Sequence, residues 1–474
     1  YNDQTDSDHG KAVVAINDVG GKVKAVGPGS AISQVIGSET VFESASTLYV
    51  ASAYDANAQK VVIAYQDSDD SGKGKAVVGT VSSNAISFGT PVAWASSGTT
   101  STWISIAYDT NAQKVVIVYR DNDNSNYGTA VVGTVSGTSI SYGTPAVFES
   151  ASIQETSIVY DSNAQKVVIA YRDNGNSYYG TAIVGTVSST SISFGSAAVF
   201  ESDIVSKISS AYDTNAQKTV ITFQDTNDSS KGKAIVATVS GTSVSFGSVV
   251  VFETGQTREM GAIYDSSAQK IVIAYQDYSN SGRGTAIVGT VSDTSISFGT
   301  AVVFDTDNIE SANAVYDATA QKVVIGYKNT SNSDYGEIVS GTVSGTSITF
   351  NSPSVFNSGA SSHINFAYDA SAGKVVVAFR DNGNSNYGTA LVFQTPYTPA
   401  NLTSENYIGI TDQAYTDGQD ATVAVVGCID RNQTSLTAGQ QYFVQNDGTL
   451  STTAGSPSVL AGTAISATEL VVKE

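Results

Sequence analysis

The sequence predicts an all-β fold assembled from repeats of about 52 residues, and two observations carry that expectation. A Tyr-Asp pair recurs at Tyr54-Asp55, Tyr108-Asp109, Tyr160-Asp161, Tyr212-Asp213, Tyr264-Asp265, Tyr316-Asp317 and Tyr368-Asp369, spaced 54 residues once and 52 five times. Fixed self-similarity at this period marks a repeat architecture. Within each period, four β-branched and aromatic runs are bounded by clusters of Gly, Asn, Asp and Ser, the signature of strands joined by turns.

The unit is clearest from Ala107 to Ser150 and the segment before it. Strand a is TWISIAY (Thr102 to Tyr108), b is KVVIVY (Lys114 to Tyr119), c is TAVVGTV (Thr129 to Val135) and d is SISYGTPAVF (Ser139 to Phe148). Strand b is apolar almost without interruption, as a sheet covered on both faces requires. Four-stranded sheets that bury both faces against identical neighbours close most simply into a β-propeller, which hides the end faces an open stack must cap.

The two ends of the repeat region decide the blade count. Residues 1 to 46 read as a degenerate first copy, because KAVVAIND (Lys11 to Asp18) matches KVVIAYQD (Lys60 to Asp67) and GSAISQVIGSETVF (Gly29 to Phe42) matches GTSISYGTPAVF (Gly137 to Phe148). The last copy, residues 361 to 394, stops after GTALVF (Gly388 to Phe393). An eight-bladed propeller is therefore expected, or a seven-bladed one if Val35 to Phe42 serves as strand d of the final copy. Residues 1–394 form the repeat domain and 395–404, TPYTPANLTS, a proline-bearing linker. Residues 405–474 form a small β module with strand-like ATVAVVG (Ala421 to Gly427), QYFVQ (Gln441 to Gln445) and TELVV (Thr468 to Val472), and NDG (Asn446 to Gly448) as a hairpin turn.

Composition narrows the function classes. Charged residues make up only 14% of the 474, with Gly, Ser, Thr and Asn filling the gap, a balance suited to strands and many turns. The net charge of −20 argues against a nucleic-acid partner, which needs clustered Lys and Arg. The single cysteine, Cys428, excludes an internal disulfide framework. No apolar run approaches the roughly 20 residues of a membrane span, so membrane insertion is not expected. The chain opens on Tyr1 with no signal-like segment, and is read as processed or truncated.

Most recurring polar residues have a structural reading. The Asp after each Tyr starts the a–b turn, where its carboxylate accepts bonds from nearby amides. The oxygen-rich b–c loops make Asp67, Asp69, Asp121 and Asp123 weak Ca²⁺ candidates, of roughly 10⁻⁴ to 10⁻³ M affinity at best. Turn chemistry explains them better, and no cofactor is expected. Arg120, Arg172 and Arg380 share the end of strand b, but Gln66, Gln224, Gln276 and Lys328 stand there in other copies, so a solvated strand end accounts for the set. His9 and His363 do not pair in the repeat pattern, and no catalytic residues are assigned.

The informative position is the one the repeat leaves free. Five residues before each Tyr stand Tyr49, Trp103, Glu155, Lys207, Glu259, Ser311 and His363, and one earlier stand Leu48, Thr102, Gln154, Ser206, Arg258, Glu310 and Ser362. In a propeller these residues surround one mouth of the central channel, with the b–c loops on the same face. Variable side chains on a rigid scaffold are where binding resides. Tyr49 and Trp103 suit stacking on a sugar, with Gln154, Glu155, Lys207, Arg258, Glu259, Glu310 and His363 supplying polar selectivity.

The order of strands a to d resembles sialidase-like propellers, although VSGTSISYG (Val135 to Gly143) stands where that family has its Asp- and Trp-bearing hairpin, so no activity is carried over. ENYIGITDQAYTDGQDATVAVVGCID (Glu405 to Asp430), LTAGQQYFVQNDGTLSTTAG (Leu436 to Gly455) and AGTAISATELVVK (Ala461 to Lys473) are similar to modules that end tail-fibre and other structural proteins of marine bacteriophages. That resemblance implies a virion-surface or extracellular protein; taken with the mouth residues, the expected partners are a host cell-surface glycan and other virion proteins, and the avidity that weak sites need makes a homo-oligomer expected. The alternatives are a purely structural fibre subunit and a glycan hydrolase.

Overall fold

The structure, a computed structural model, describes residues 12–17, 23–26, 32–95, 100–397, 407–411, 423–445, 449–454 and 458–473. Two compact units emerge, one of residues 34–395 and one of residues 1–33 with 396–474.

In the larger unit every copy builds the same sheet. Strand b, for example Lys114–Asp121, pairs antiparallel with strand a (Ser101–Asp109) on one side and strand c (Tyr127–Ser136) on the other. The fourth strand comes in two pieces, Ser139–Tyr142 and the start of Ala146–Asp161, both paired with strand c. The expected single strand d is thus split, and its second piece continues unbroken as strand a of the next sheet. Gly143 sits at the split because a Cβ there would overlap the Thr190 carbonyl oxygen of the neighbouring sheet.

Among the described residues these pairings form seven sheets, centred on Lys60–Asp67, Lys114–Asp121, Lys166–Asp173, Lys218–Asp225, Lys270–Asp277, Lys322–Asn329 and Lys374–Asp381. The last sheet takes its outer strand from the other end of the region, with Val35 opposite Gln394 and Thr40 opposite Ala390. The segment from Val35 to Phe42 therefore completes the final copy. KAVVAIND does not act as a first strand b: Ala12–Asn17 pairs with Val23–Val26 and Tyr407–Thr411 in the other unit. Its likeness to the repeat is a generic β-branched pattern.

The Tyr-Asp pair joins neighbouring sheets. Asp55 Oδ1 accepts the amides of Asn57 and Ala58 at 3.0 and 2.9 Å, closing its own turn. Tyr108 Oη, from the next sheet, accepts the Asn57 amide at 3.1 Å. Tyr160, Tyr212 and Tyr368 repeat this latch on Asn111, Asn163 and Thr319. Tyr54 makes it to Ser371 at 3.2 Å, and the Ser52 amide donates to Asn365 Oδ1 at 3.0 Å, so the last sheet packs on the first. A ring of sheets results.

The core lies between the sheets. Val115 to Val118 of strand b are fully buried, and their counterparts are enclosed in every copy. Aromatic pairs bridge each boundary, as Phe148 does with Tyr171 at 5.3 Å between ring centroids.

The second unit holds two antiparallel sheets. One runs Val23–Val26, Ala12–Asn17, Tyr407–Thr411, Val423–Val425, and the other Ile429–Asp430, Leu470–Val472, Val459–Ala464, Gln441–Val444, Leu450–Ser451. Tyr442, Val444, Val459, Ala461 and Leu470 form its core. The sequence-based strands in this part are found, with shifted ends, while the NDG turn, Asn446 to Gly448, lies outside the described residues. Cys428 is an exposed free thiol. Among the described residues no helix is long and apolar enough to cross a membrane.

Candidate functional site

Every copy carries a β-bulge at the variable position. In the second sheet Thr102 faces Arg120 and Ser105 faces Val118, so Trp103 and Ile104 together oppose Tyr119. The register slips at the same place in the other six. The residue inside the bulge has a positive φ each time: Tyr49 50°, Trp103 51°, Glu155 52°, Lys207 54°, Glu259 41°, Ser311 55° and His363 50°. Side chains other than glycine pay about 1–2 kcal/mol to sit there, and a bulge of this kind ordinarily uses glycine. None of the seven is glycine, so local backbone preference did not choose these residues. The surrounding sheets hold the strain, and the bulge re-aims each side chain.

The bulge residues meet around the ring. The Tyr49 ring lies 5.4 Å from Trp103 and 5.6 Å from His363, giving an aromatic arc across three sheets. Thr156 Oγ1 donates to the Trp103 carbonyl, which ties this arc to the next sheet. There Glu155 accepts the Lys207 amide, and Lys207 Nζ bonds Glu259 Oε1 at 2.6 Å, giving an ionic arc across three more sheets. Glu155 Oε1 also lies 3.5 Å from an Arg172 guanidinium nitrogen. Burial pushes the Glu155 carboxyl up despite Arg172 and Lys207. Burial acts to lower Lys207, but Glu259 and Glu155 outweigh it and hold its ammonium charged. His363 goes the other way, since burial and nearby Arg380 push its pKa down to about 4, leaving a neutral imidazole at pH 7.

The preceding positions face strand b. Leu48, Thr102, Gln154, Ser206, Arg258, Glu310 and Ser362 lie opposite Gln66, Arg120, Arg172, Gln224, Gln276, Lys328 and Arg380. The arginine trio thus borders the mouth. Arg172 is engaged by Glu155, and Lys328 by Glu310 at 2.6 Å. Arg120 bonds only Asn122, at 2.8 Å, and Arg380 has no carboxylate partner among the described residues. Burial lowers the pKa of both guanidinium groups. Arg258 is taken up by the Tyr278 ring, 3.8 Å from its centroid.

The b–c loop carboxylates serve the backbone. Asp67 Oδ1 accepts the amides of Asp69 and Asp70, and its Oδ2 is held by Lys75 at 2.6 Å. Asp121 caps Asp123 and Asn124, while Asp69 and Asp123 reach across to the amides of Ser46 and Thr100. Among the described residues no three His, Cys, Asp or Glu side chains converge as a metal site.

The sequence singled out the variable residues but not the bulge that presents them, and it read the arginine trio as a solvated strand end rather than as groups facing those residues. The positive φ leaves no trace in composition when glycine is absent. The arginine placement follows only from the strand register.

No family model and no curated protein matches the chain. Solved structures do. BP39L lectin from Burkholderia pseudomallei superposes with a TM-score of 0.55 at 8% identity, over 76% of this chain and 100% of that one. The Swd1 β-propeller domain of Myceliophteria thermophila gives 0.49 at 7%, over 76% and 100%. SapL1 lectin, solved with α-methyl fucoside, gives 0.38 at 12%, over 65% and 95%. At these identities BP39L speaks for the fold alone, and the two lower scores carry no argument.

Proposed function

We propose that this chain is a seven-bladed β-propeller that binds carbohydrate at the bulge-lined mouth, without catalysing a reaction. The observation that carries the reading is the aromatic arc His363–Tyr49–Trp103, presented from strained backbone by three sheets that need no such residues to fold. A flat apolar surface with a few fixed polar groups at its rim suits a sugar ring. Arg120 and Arg380, lacking carboxylate partners among the described residues, favour a glycan that bears a carboxylate or sulfate. Glu155 and Glu259 both hold Lys207, an arrangement suited to a fixed polar contact rather than to acid–base attack on a glycosidic bond.

The finer reading is a host-surface receptor binder on a virion or extracellular fibre, and the phage-like sequence of residues 405–474 supports it. Avidity in a homo-oligomer would turn weak mouth sites into useful binding. A glycan array probed with the purified chain tests the proposal, with Tyr49→Ala/Trp103→Ala run beside it. Saturable binding to acidic glycans, weakened at least tenfold in the variant, is the expected outcome. Binding that the double substitution leaves untouched would overturn the assignment of the mouth.

A further inference from the structure

One sheet boundary departs from the other six. Elsewhere the strand entering a boundary carries Phe followed by an acid or Asn, as in Phe42-Glu43, Phe148-Glu149, Phe252-Glu253 and Phe304-Asp305. The carboxylate accepts a bond from a buried tyrosine of the next strand b: Tyr65 at 2.8 Å, Tyr171 at 2.9 Å, Tyr275 at 3.1 Å and Tyr327 at 2.6 Å. Between the first and second sheets the pair is Trp94-Ala95. Its tyrosine, Tyr119, is only 1% exposed and has no carboxylate in that place.

Two further departures fall at the same place. Tyr142 stands where Phe194, Phe246, Phe298 and Phe350 stand in other copies. The outer piece, Val92–Ala93, and strand a, Ser101–Asp109, are separate strands here, where the other copies run the two together as one 16-residue strand. Thr129, like Thr181, Thr285 and Thr389, stands where Lys75 and Lys233 neutralise Asp67 and Asp225 at 2.6 Å, so Asp121 has no cation partner among the described residues. At this boundary lies a cavity of about 770 Å³ whose lining includes Trp94, Ala95, Tyr119, Tyr142, Asp70, Lys73 and Asp121, within the usual size of a small-molecule pocket. Trp94 packs 5.5 Å from Tyr119 and 6.3 Å from Tyr142, ring to ring, along its wall.

We propose that this groove is a second binding site, taking a neutral pyranose-sized polyol. A ligand oxygen fills the place of the missing carboxylate and accepts from Tyr119. A ligand hydroxyl donates to Asp121, and the ring's apolar face lies against Trp94 and Tyr142. Asp70 is paired with Lys73 at 2.8 Å, which leaves the Asp121 carboxylate to turn away anions, so the groove selects differently from the mouth. The ligand class rests on the carbohydrate reading above, whereas the site rests on its own geometry.

The chain has two tryptophans, Trp94 and Trp103, so a Trp103→Phe protein reports on the groove alone. Its fluorescence, titrated with neutral hexoses, N-acetylhexosamines, glucuronate and choline, should change saturably with a neutral sugar only. Ala95→Glu, which installs the residue other copies use, should abolish the change while keeping or raising Tm. Tyr119→Phe, the natural state at Phe223 and Phe379, should weaken it roughly fivefold to tenfold. Absence of any saturable response, preference for choline or glucuronate, or survival of the response in Ala95→Glu would overturn the groove site. Array binding through the mouth would stand apart from any of these results.

Discussion

The two ends of strand a obey opposite rules. At one end the Tyr-Asp pair is the same in all seven copies: each Asp caps its own turn, and Tyr54, Tyr108, Tyr160, Tyr212 and Tyr368 latch the preceding sheet. At the other end a bulge holds a different residue almost every time, in a backbone conformation none of those residues prefers. A residue that recurs in every copy serves what every copy needs, which is closure of the ring. Residues that vary while the backbone stays fixed are free to serve a ligand.

The largest expected effect that sharpens this contrast is a pH response at the variable end. His363 has a folded pKa of about 4 against 6.5 for the free side chain, because burial disfavours its charged form. Above pH 6.5 the imidazole is neutral in both states. As pH falls from 6.5 towards 4 the unfolded chain takes up the proton and the folded one does not, so stability is lost in that window. The wild type should lose about 2–3 kcal/mol there, after allowance for partial exposure, that His363→Phe does not lose. Parallel urea titrations at pH 7 and pH 4 give the difference.

At the constant end, Tyr212→Phe removes one latch to Asn163 and leaves the ring in place. A loss of about 1 kcal/mol is expected, with binding unchanged. The smallest effect tests the strain itself. Ser311 sits in its bulge at φ 55°, and Ser311→Gly should raise stability by about 0.5–1 kcal/mol in thermal unfolding. No gain, or a loss, would show that the bulge is relaxed as it stands.

Much of the fold was legible in the sequence because period, strand pattern and turn residues all pointed to one sheet. Continuous apolar runs such as Val115 to Val118 announced burial on both faces. What was not legible depended on partners distant along the chain. Ala12–Asn17 has the composition of strand b, and only its pairing with Tyr407–Thr411 assigns it to the other unit. Val35–Ile36 could be placed on Gln394 and Phe393 only once the ring was seen to close. The sequence marked the variable residues as a set, yet the contact of His363 with Tyr49 depends on the same closure. Ala95 gave a signal that was present and missed, because the loss of one recurring acid shows only when all copies are aligned against it.

The central claim is that binding and closure occupy opposite ends of the same strand. Calorimetric titration of an array-identified glycan, with Tm measured alongside, tests it most directly on two double variants, Tyr49→Ala/Trp103→Ala and Tyr160→Phe/Tyr212→Phe. The first should lose affinity at least tenfold with little change in Tm, and the second should lower Tm with Kd unchanged. Affinity lost in the latch variant and kept in the mouth variant would contradict the account.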